Sequence, residues 1–378
     1  MKKFRKMLFL LGLSIGMVAA CGKQEEKGSS EAQGTSAAVS EAGTETSTEK
    51  ATEEAKAEKS AKQEVEGTVS NIVDLTQYEK GKKVRLWIPL PHDSEYQTVD
   101  SIEYDAGSAP SVISGDDWGN QMLYVEWDEN AEPADRVVTV HFDVKREEVL
   151  YPEIKEDESE VFSEEIKKNL EPSKNLPLND QVKAKAMEVT EGKSTDLEKA
   201  RAIYDWVIAN MNRNEEGKGC GEGDVCALLD TTMSGKCTDI NSMFVALCRA
   251  SGIPAREHFG IRINAEDISK NQHCWAEFYV KGTGWVSADP ADVLKAVLKN
   301  NWSKEQEETK EKQEYYWGNL DAERIILSDG RDLRLNPAQA GEVLNDFGYP
   351  YAEVDGQKLD NYTPDRFVYS YSFVKKNE

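Results

Sequence analysis

The rhythm of hydrophobic and polar positions changes several times along the chain. Residues 7–20 form a nearly unbroken apolar run, preceded by Lys2, Lys3, Arg5 and Lys6. Residues 22–64 then carry no aromatic and almost no large aliphatic side chain. From 65 to 150 short runs rich in β-branched and aromatic residues appear: V-R-L-W-I-P-L-P at 84–91, M-L-Y-V-E-W at 122–127 and R-V-V-T-V-H-F-D-V at 136–144. The last alternates apolar with polar, the period of a half-buried strand. Turn-rich stretches at 78–83, 108–120 and 128–135 separate these runs and predict a small antiparallel β-sandwich over 65–150. Residues 151–178 are charged and carry Pro152, Pro172 and Pro177, which predicts a connector.

Helical periodicity begins near Asn179. In L-E-K-A-R-A-I-Y-D-W-V-I-A-N-M (197–211), Ala200, Ile203, Tyr204, Val207 and Ile208 share one stripe, with Trp206 at its margin as a packing residue. Ile240, Met243, Phe244 and Leu247 recur at helical spacing, and Gly252 with Pro254 stops that helix. H-C-W-A-E-F-Y-V at 273–280 reads as a strand, with His273, Trp275, Glu277 and Tyr279 on one face and Cys274, Ala276, Phe278 and Val280 on the other. A turn and a short strand follow, ending at Asp289. The polar run 304–314 predicts a solvated helix or loop.

Composition narrows the function. The 378 residues hold 46 Lys+Arg against 70 Asp+Glu, and 46 − 70 = −24. Such a balance excludes a sequence-independent nucleic-acid binder, which needs clustered cations. No apolar run reaches the roughly 20 residues of a membrane-spanning helix, which excludes a polytopic membrane protein. Six cysteines are too few for a disulfide scaffold of this size.

A cationic start before an apolar run is the pattern of a secretory signal. Its end, V-A-A-C, resembles a bacterial lipoprotein lipobox, which implies cleavage after residue 20 and lipidation of Cys21. Residues 21–64 cannot bury enough apolar surface to offset chain entropy and are expected to form a disordered tether. As a random coil, about 40 such residues span on the order of 35 Å. The expected location is the extracytoplasmic side of a cell membrane, held by the N-terminal lipid.

The chemistry concentrates between 235 and 290. Cys237 falls at the first turn of the helix that Gly252 and Pro254 stop, where unpaired backbone N–H groups and the positive dipole end favour a thiolate. Adjacent antiparallel strands would bring His273 beside Asp289. A thiol, an imidazole and a carboxylate then supply nucleophile, base and the group that orients the base. Asp239 caps the helix start or is simply a solvated acid. Cys248 and Cys274 read as core. Cys220 and Cys226 are a disulfide, free thiols or, with Cys237 and His273, a zinc set, although C-x₅-C is not a usual ligand spacing. His92 and His141 have no partner cluster in the sequence, and the Gly-rich loop 217–223 lacks a phosphate-loop pattern.

G-K-C-T-D, A-L-C-R-A-S-G-I-P-A-R, H-C-W-A-E-F-Y and G-W-V-S-A-D-P, in that order over roughly 195–292, resemble the transglutaminase-like core. The resemblance implies an α+β, papain-related fold: the β-sandwich, then a core over 151–300 with a central helix on an antiparallel sheet, then an extension over 301–378 that packs on the core and walls the groove. It implies the catalytic set Cys237, His273 and Asp289, with no cofactor and no metal. The implied reaction is thiolate attack on the amide of a protein or peptide, with the thioester resolved by an amine or by water. Purely hydrolytic peptidase or amidase action and a non-catalytic surface binding protein are the alternatives. The Cys237 N–H is the first expected oxyanion donor; Trp206, Asn212 or another polar group near 211–226 would be the second.

Overall fold

The computed structural model describes residues 62–151, 153–157 and 159–376. The expected signal peptide, the Cys21 lipidation site and nearly all of the tether lie outside the described residues. Strands of four or more residues are numbered β1–β12 and helices of nine or more α1–α5.

The β-branched runs form β1 (Glu64–Asp74), β2 (Val84–Leu90), β3 (Gln97–Asp105), β4 (Ser111–Gly115), β5 (Gln121–Trp127) and β6 (Val137–Glu147). Their alternation is visible as burial: β1 hides Val65, Val69 and Val73, and β6 hides Val138, Val140, Phe142 and Val144. These strands divide between two antiparallel sheets, and a shared hydrophobic core joins them. That is the expected sandwich.

Its strands are not all drawn from 65–150. The first sheet has the order β12-β1-β6-β3, where β12 is Val368–Lys375. The second runs from a two-residue strand at Gln357–Lys358 through β11 (Tyr351–Val354) to β2, β5 and β4. The C-terminal segment expected to pack on the catalytic core therefore also completes both sandwich sheets. Tyr371 and Phe373 of β12 are buried in the sandwich core. Ser60–Glu378 form one compact unit.

The third sheet carries the site. β7 (Ala255–Arg262), β8 (Gln272–Val280), β9 (Gly284–Ala288) and β10 (Arg324–Asp329) lie in the antiparallel order β9-β8-β7-β10, extended beyond β9 by Trp317–Gly318. Around this sheet stand α1 (Asp180–Val189), α2 (Asp196–Asn210), α3 (Cys237–Ala250), α4 (Pro290–Asn300) and α5 (Glu307–Tyr315). A Thr195/Glu198 capping box starts α2, and its predicted stripe of Ala200, Ile203, Tyr204, Val207 and Ile208 is buried. The central helix α3 is buried on almost every side, including Ile240, Met243, Phe244 and Leu247. A helix buried on nearly every side must be enclosed by other elements, and α1, α2, α4, β7 and β8 enclose it. Among the described residues no helix is long and apolar enough to cross a membrane.

Candidate active site

Cys237 is the first residue of α3, where its N–H has no acceptor within the helix. Asp239 builds this helix start. Its Oδ2 accepts the Lys236 N–H at 2.8 Å, and its Oδ1 accepts the N–H groups of Gly223 at 2.8 Å and Glu222 at 3.1 Å. Gly221, at φ +98°, lies so close that a Cβ there would collide with the Asp239 carboxylate. Of the two roles expected for Asp239, the structure assigns the cap.

His273 is the second residue of β8 and pairs in register with Gly260 of β7. Glycine is required at 260 because a side chain would strike the Ile325 carbonyl of β10. Asp289 directly follows β9 and caps α4, accepting the Asp292 N–H on Oδ1 at 3.1 Å. Its Oδ2 lies 2.8 Å from His273 Nε2. With Nε2 engaged, Nδ1 is the nitrogen left for the thiol. The three predicted site residues are thus brought together, and all three are buried.

Electrostatics favour a thiolate at Cys237. Hydrogen bonds from Cys220, Cys274 and His273, with the His273 charge, outweigh burial and hold the Cys237 thiol well below the usual cysteine range. Burial opposes ionisation of Asp289, but His273, Arg324 and Arg262 overcome it and keep the group below its ordinary value.

Several contributors were not recognisable beforehand. Arg324, fully buried on β10, donates to Asp289 at 2.7 Å and to Asp292 at 3.0 Å, and it also pairs with Asp321. Its guanidinium lies 5.4 Å from the Trp275 ring, which in turn stacks at 6.3 Å on His273. Arg262 pairs with Asp292 and, at 3.4 Å, with Asp321. Donor atoms of His273, Asp289 and Asp292 lie within 4.8 Å of one another, as a metal site would require. Here the two guanidinium groups already supply the positive charge those carboxylates need.

The remaining cysteines separate. Cys220 and Cys226 are free thiols. Cys226 accepts a 3.2 Å hydrogen bond from Asn179, whereas Cys220 is buried beside Cys237 and lies 3.1 Å from the Tyr349 hydroxyl. Cys274 faces α3, 3.5 Å from the Thr238 hydroxyl. Cys248 is buried core.

Cys237 opens onto a cavity of about 620 Å³, lined also by Arg213, Gln272, Lys295, Tyr349 and Tyr362. Neither Trp206 nor Asn212 lines it. Trp206 is half-buried with Lys185 over its ring at 5.4 Å, a packing role. Gln272, directly before His273, turns a buried amide Nε2 without an acceptor among the described residues. Away from the cavity, His92 does have a cluster: it lies 3.3 Å from Asp329, which also holds the buried His258.

Comparison with known proteins gives the same family. Residues 183–290 match the transglutaminase-like superfamily, a span containing Cys237, His273 and Asp289. An uncharacterised protein of Haemophilus influenzae is 35% identical over 315 residues, covering 76% of this chain and 85% of its own length. A crystal structure of a candidate cysteine protease from Cytophaga hutchinsonii is similar with TM-score 0.49 at 16% identity, over 82% of this chain and 98% of that one. The periplasmic domain of TgpA from Pseudomonas aeruginosa aligns with TM-score 0.32 at 15% identity, over 61% of this chain and 88% of that one. On the match over residues 183–290 and the 35% identical relative, the chain belongs to the transglutaminase-like superfamily.

Proposed function

We propose that this protein is a cysteine-dependent acyl transferase or hydrolase acting on amide carbonyls of proteins or peptides. The observation that supports the reading is Cys237 at a helix start together with the His273–Asp289 hydrogen bond, with Asp289 anchored by Arg324.

In this mechanism the Cys237 thiolate attacks the amide carbon. The oxyanion is met by the Cys237 N–H and, in our assignment, by the free Nε2 of Gln272; losing one such donor costs about 3 kcal/mol in other enzymes. His273, as imidazolium, gives its proton to the departing amine through Nδ1, and a thioester remains. An amine or water then attacks the thioester, with His273 taking the proton from the incoming group. Asp289 fixes the imidazole tautomer throughout and stays ionised. We also propose that a lipid on Cys21 holds the enzyme at the extracytoplasmic face of a membrane, which mass spectrometry of the purified protein and of Cys21→Ser would test.

The enzymatic reading is tested by iodoacetamide alkylation across pH, with the modified site assigned by mass spectrometry. Cys237 is expected to react at mildly acidic pH and to lose that reactivity in His273→Ala. A Cys237 that titrates like an ordinary thiol in both proteins would overturn the reading and favour a non-catalytic binding protein.

A further inference from the structure

The cavity in front of Cys237 has a charge opposite to that of the protein. The whole chain carries −24, yet Arg213, Lys218, Lys236, Arg262, Lys270 and Lys295 line this cavity against a single acid, Glu215. Part of that charge is spent: Lys218 pairs with Asp360 at 2.8 Å and Arg262 with Asp292 and Asp321. Arg213 is spent only in part, on Glu215 through Nε and Nη2, and Lys295 has no carboxylate partner among the described residues.

Arg213 belongs to the short parallel bridge between Asn212–Arg213 and Ser234–Gly235, which leads straight into Cys237. Its side chain is only 7% exposed. Nε donates to Glu215 at 2.8 Å, but Nη1 is buried with no hydrogen-bond partner among the described residues. An unsatisfied buried donor is costly and points to a missing acceptor. Lys295, on α4, is half-buried in the same wall and has no carboxylate partner among the described residues. Burial and the neighbouring Arg262 and Arg213 charges push its pKa down, as expected of a cation still waiting for its counter-ion.

We infer that Arg213 Nη1 and Lys295 Nζ form a seat for a carboxylate that the substrate carries close to its scissile amide. A carboxylate offers two acceptor oxygens, one for each cation, and a charge-assisted pair in a half-closed cavity gives both affinity and orientation. The substrate class is therefore an anionic peptide, and neutral amides of the same size are poor substrates. This rests on the acyl-transfer reading above, because the seat is defined relative to the attacking sulfur.

The test uses two reagents that differ in one group. Iodoacetate carries a carboxylate where iodoacetamide carries an amide, and both alkylate Cys237. Rates on the full-length protein are each divided by the rate with glutathione, and their ratio then cancels the thiolate fraction. The expected ratio favours iodoacetate by about tenfold, within the range of electrostatic focusing in charged clefts. It falls to near one in Lys295→Met and in Arg213→Gln, and it is unchanged in Lys193→Met, a residue that does not line the cavity. Should Arg213→Gln fail to fold, Lys295→Met alone decides.

Equal normalised rates in the unaltered protein would overturn the seat and leave acyl transfer standing. A Cys237 inert to both reagents would overturn acyl transfer and the seat with it. Protection of Cys237 from iodoacetamide by acetyl-Ala-Ala or by acetyl-Ala-Glu amide separates a chain-terminal from a side-chain carboxylate. Protection by neither would overturn the seat's part in substrate binding.

Discussion

Arg324 and His273 share one oxygen of Asp289: Oδ2 accepts Nη1 of the arginine at 2.7 Å and faces Nε2 of the histidine at 2.8 Å. The carboxylate that holds the His273 ring is therefore itself immobilised by a cation on a different strand. Arg324→Met would leave Asp289 and Asp292 buried without that partner. Removing one side of such a buried pair costs about 3–5 kcal/mol. Denaturant titration is expected to show a loss of that size, and a change under 1 kcal/mol would contradict the role assigned here. Arg324→Lys should recover little, since one ammonium cannot reproduce the guanidinium fork.

The second buried imidazole makes stability depend on pH. Burial pulls the His258 pKa down, but Asp329 and Glu277 outweigh it and hold it at about 9. The folded value lies above the unfolded one of about 6.5. The contribution is thus complete below pH 6.5 and is lost as pH rises through 9. The expected loss across that window is on the order of 3 kcal/mol. Thermal or urea unfolding at pH 6, 7.5 and 9.5 should record it, and His258→Gln should flatten the slope.

Gln272→Ala separates acyl chemistry from simple thiol reactivity. Acylation by p-nitrophenyl acetate forms an oxyanion, whereas alkylation by iodoacetamide does not. The p-nitrophenol burst is expected to slow by about 100-fold, the usual effect of losing one oxyanion donor, with the alkylation rate held. Equal slowing of both reactions would mean that Gln272 merely shapes the site.

Cys220 acts on the Cys237 thiol, as His273 does. Its hydrogen bond is the largest influence lowering the Cys237 pKa, while the same bond and burial push the Cys220 thiol up. Cys220→Ala should shift the pH profile of Cys237 alkylation to higher pH without abolishing it. A profile that does not move would remove Cys220 from the site's electrostatics.

What could be read in advance follows the range of the interactions. Alternation in 136–144 and the stripe through Ile203 and Val207 are local consequences of strand and helix periods, and both elements are present. The helix start at Cys237 was legible because Gly252 and Pro254 mark its end and apolar spacing marks its face. Arg324 was not, because its partner Asp289 is 35 positions away and nothing local distinguishes a buried arginine from an exposed one. Arg213 was hidden likewise in a two-residue bridge with no pattern of its own. The membership of β12 escaped for the same cause: its neighbour β1 lies near the other end of the described chain, with Gly67 opposite Lys375.

That last pairing sets an order of events. During synthesis β1 emerges early, and its flank opposite β6 stays unmatched until Val368–Lys375 has been made. Contacts so distant in sequence form slowly, because a long loop must close before they repay its entropy. Tyr349 and Tyr362, which wall the cavity, also arrive only with this final stretch. A nascent chain holding Cys237, His273 and Asp289 but not yet these residues has the thiol without the walls of its cavity. The surroundings of the Cys237 thiol are thus finished last, once the polypeptide has reached the strand that closes its first sheet.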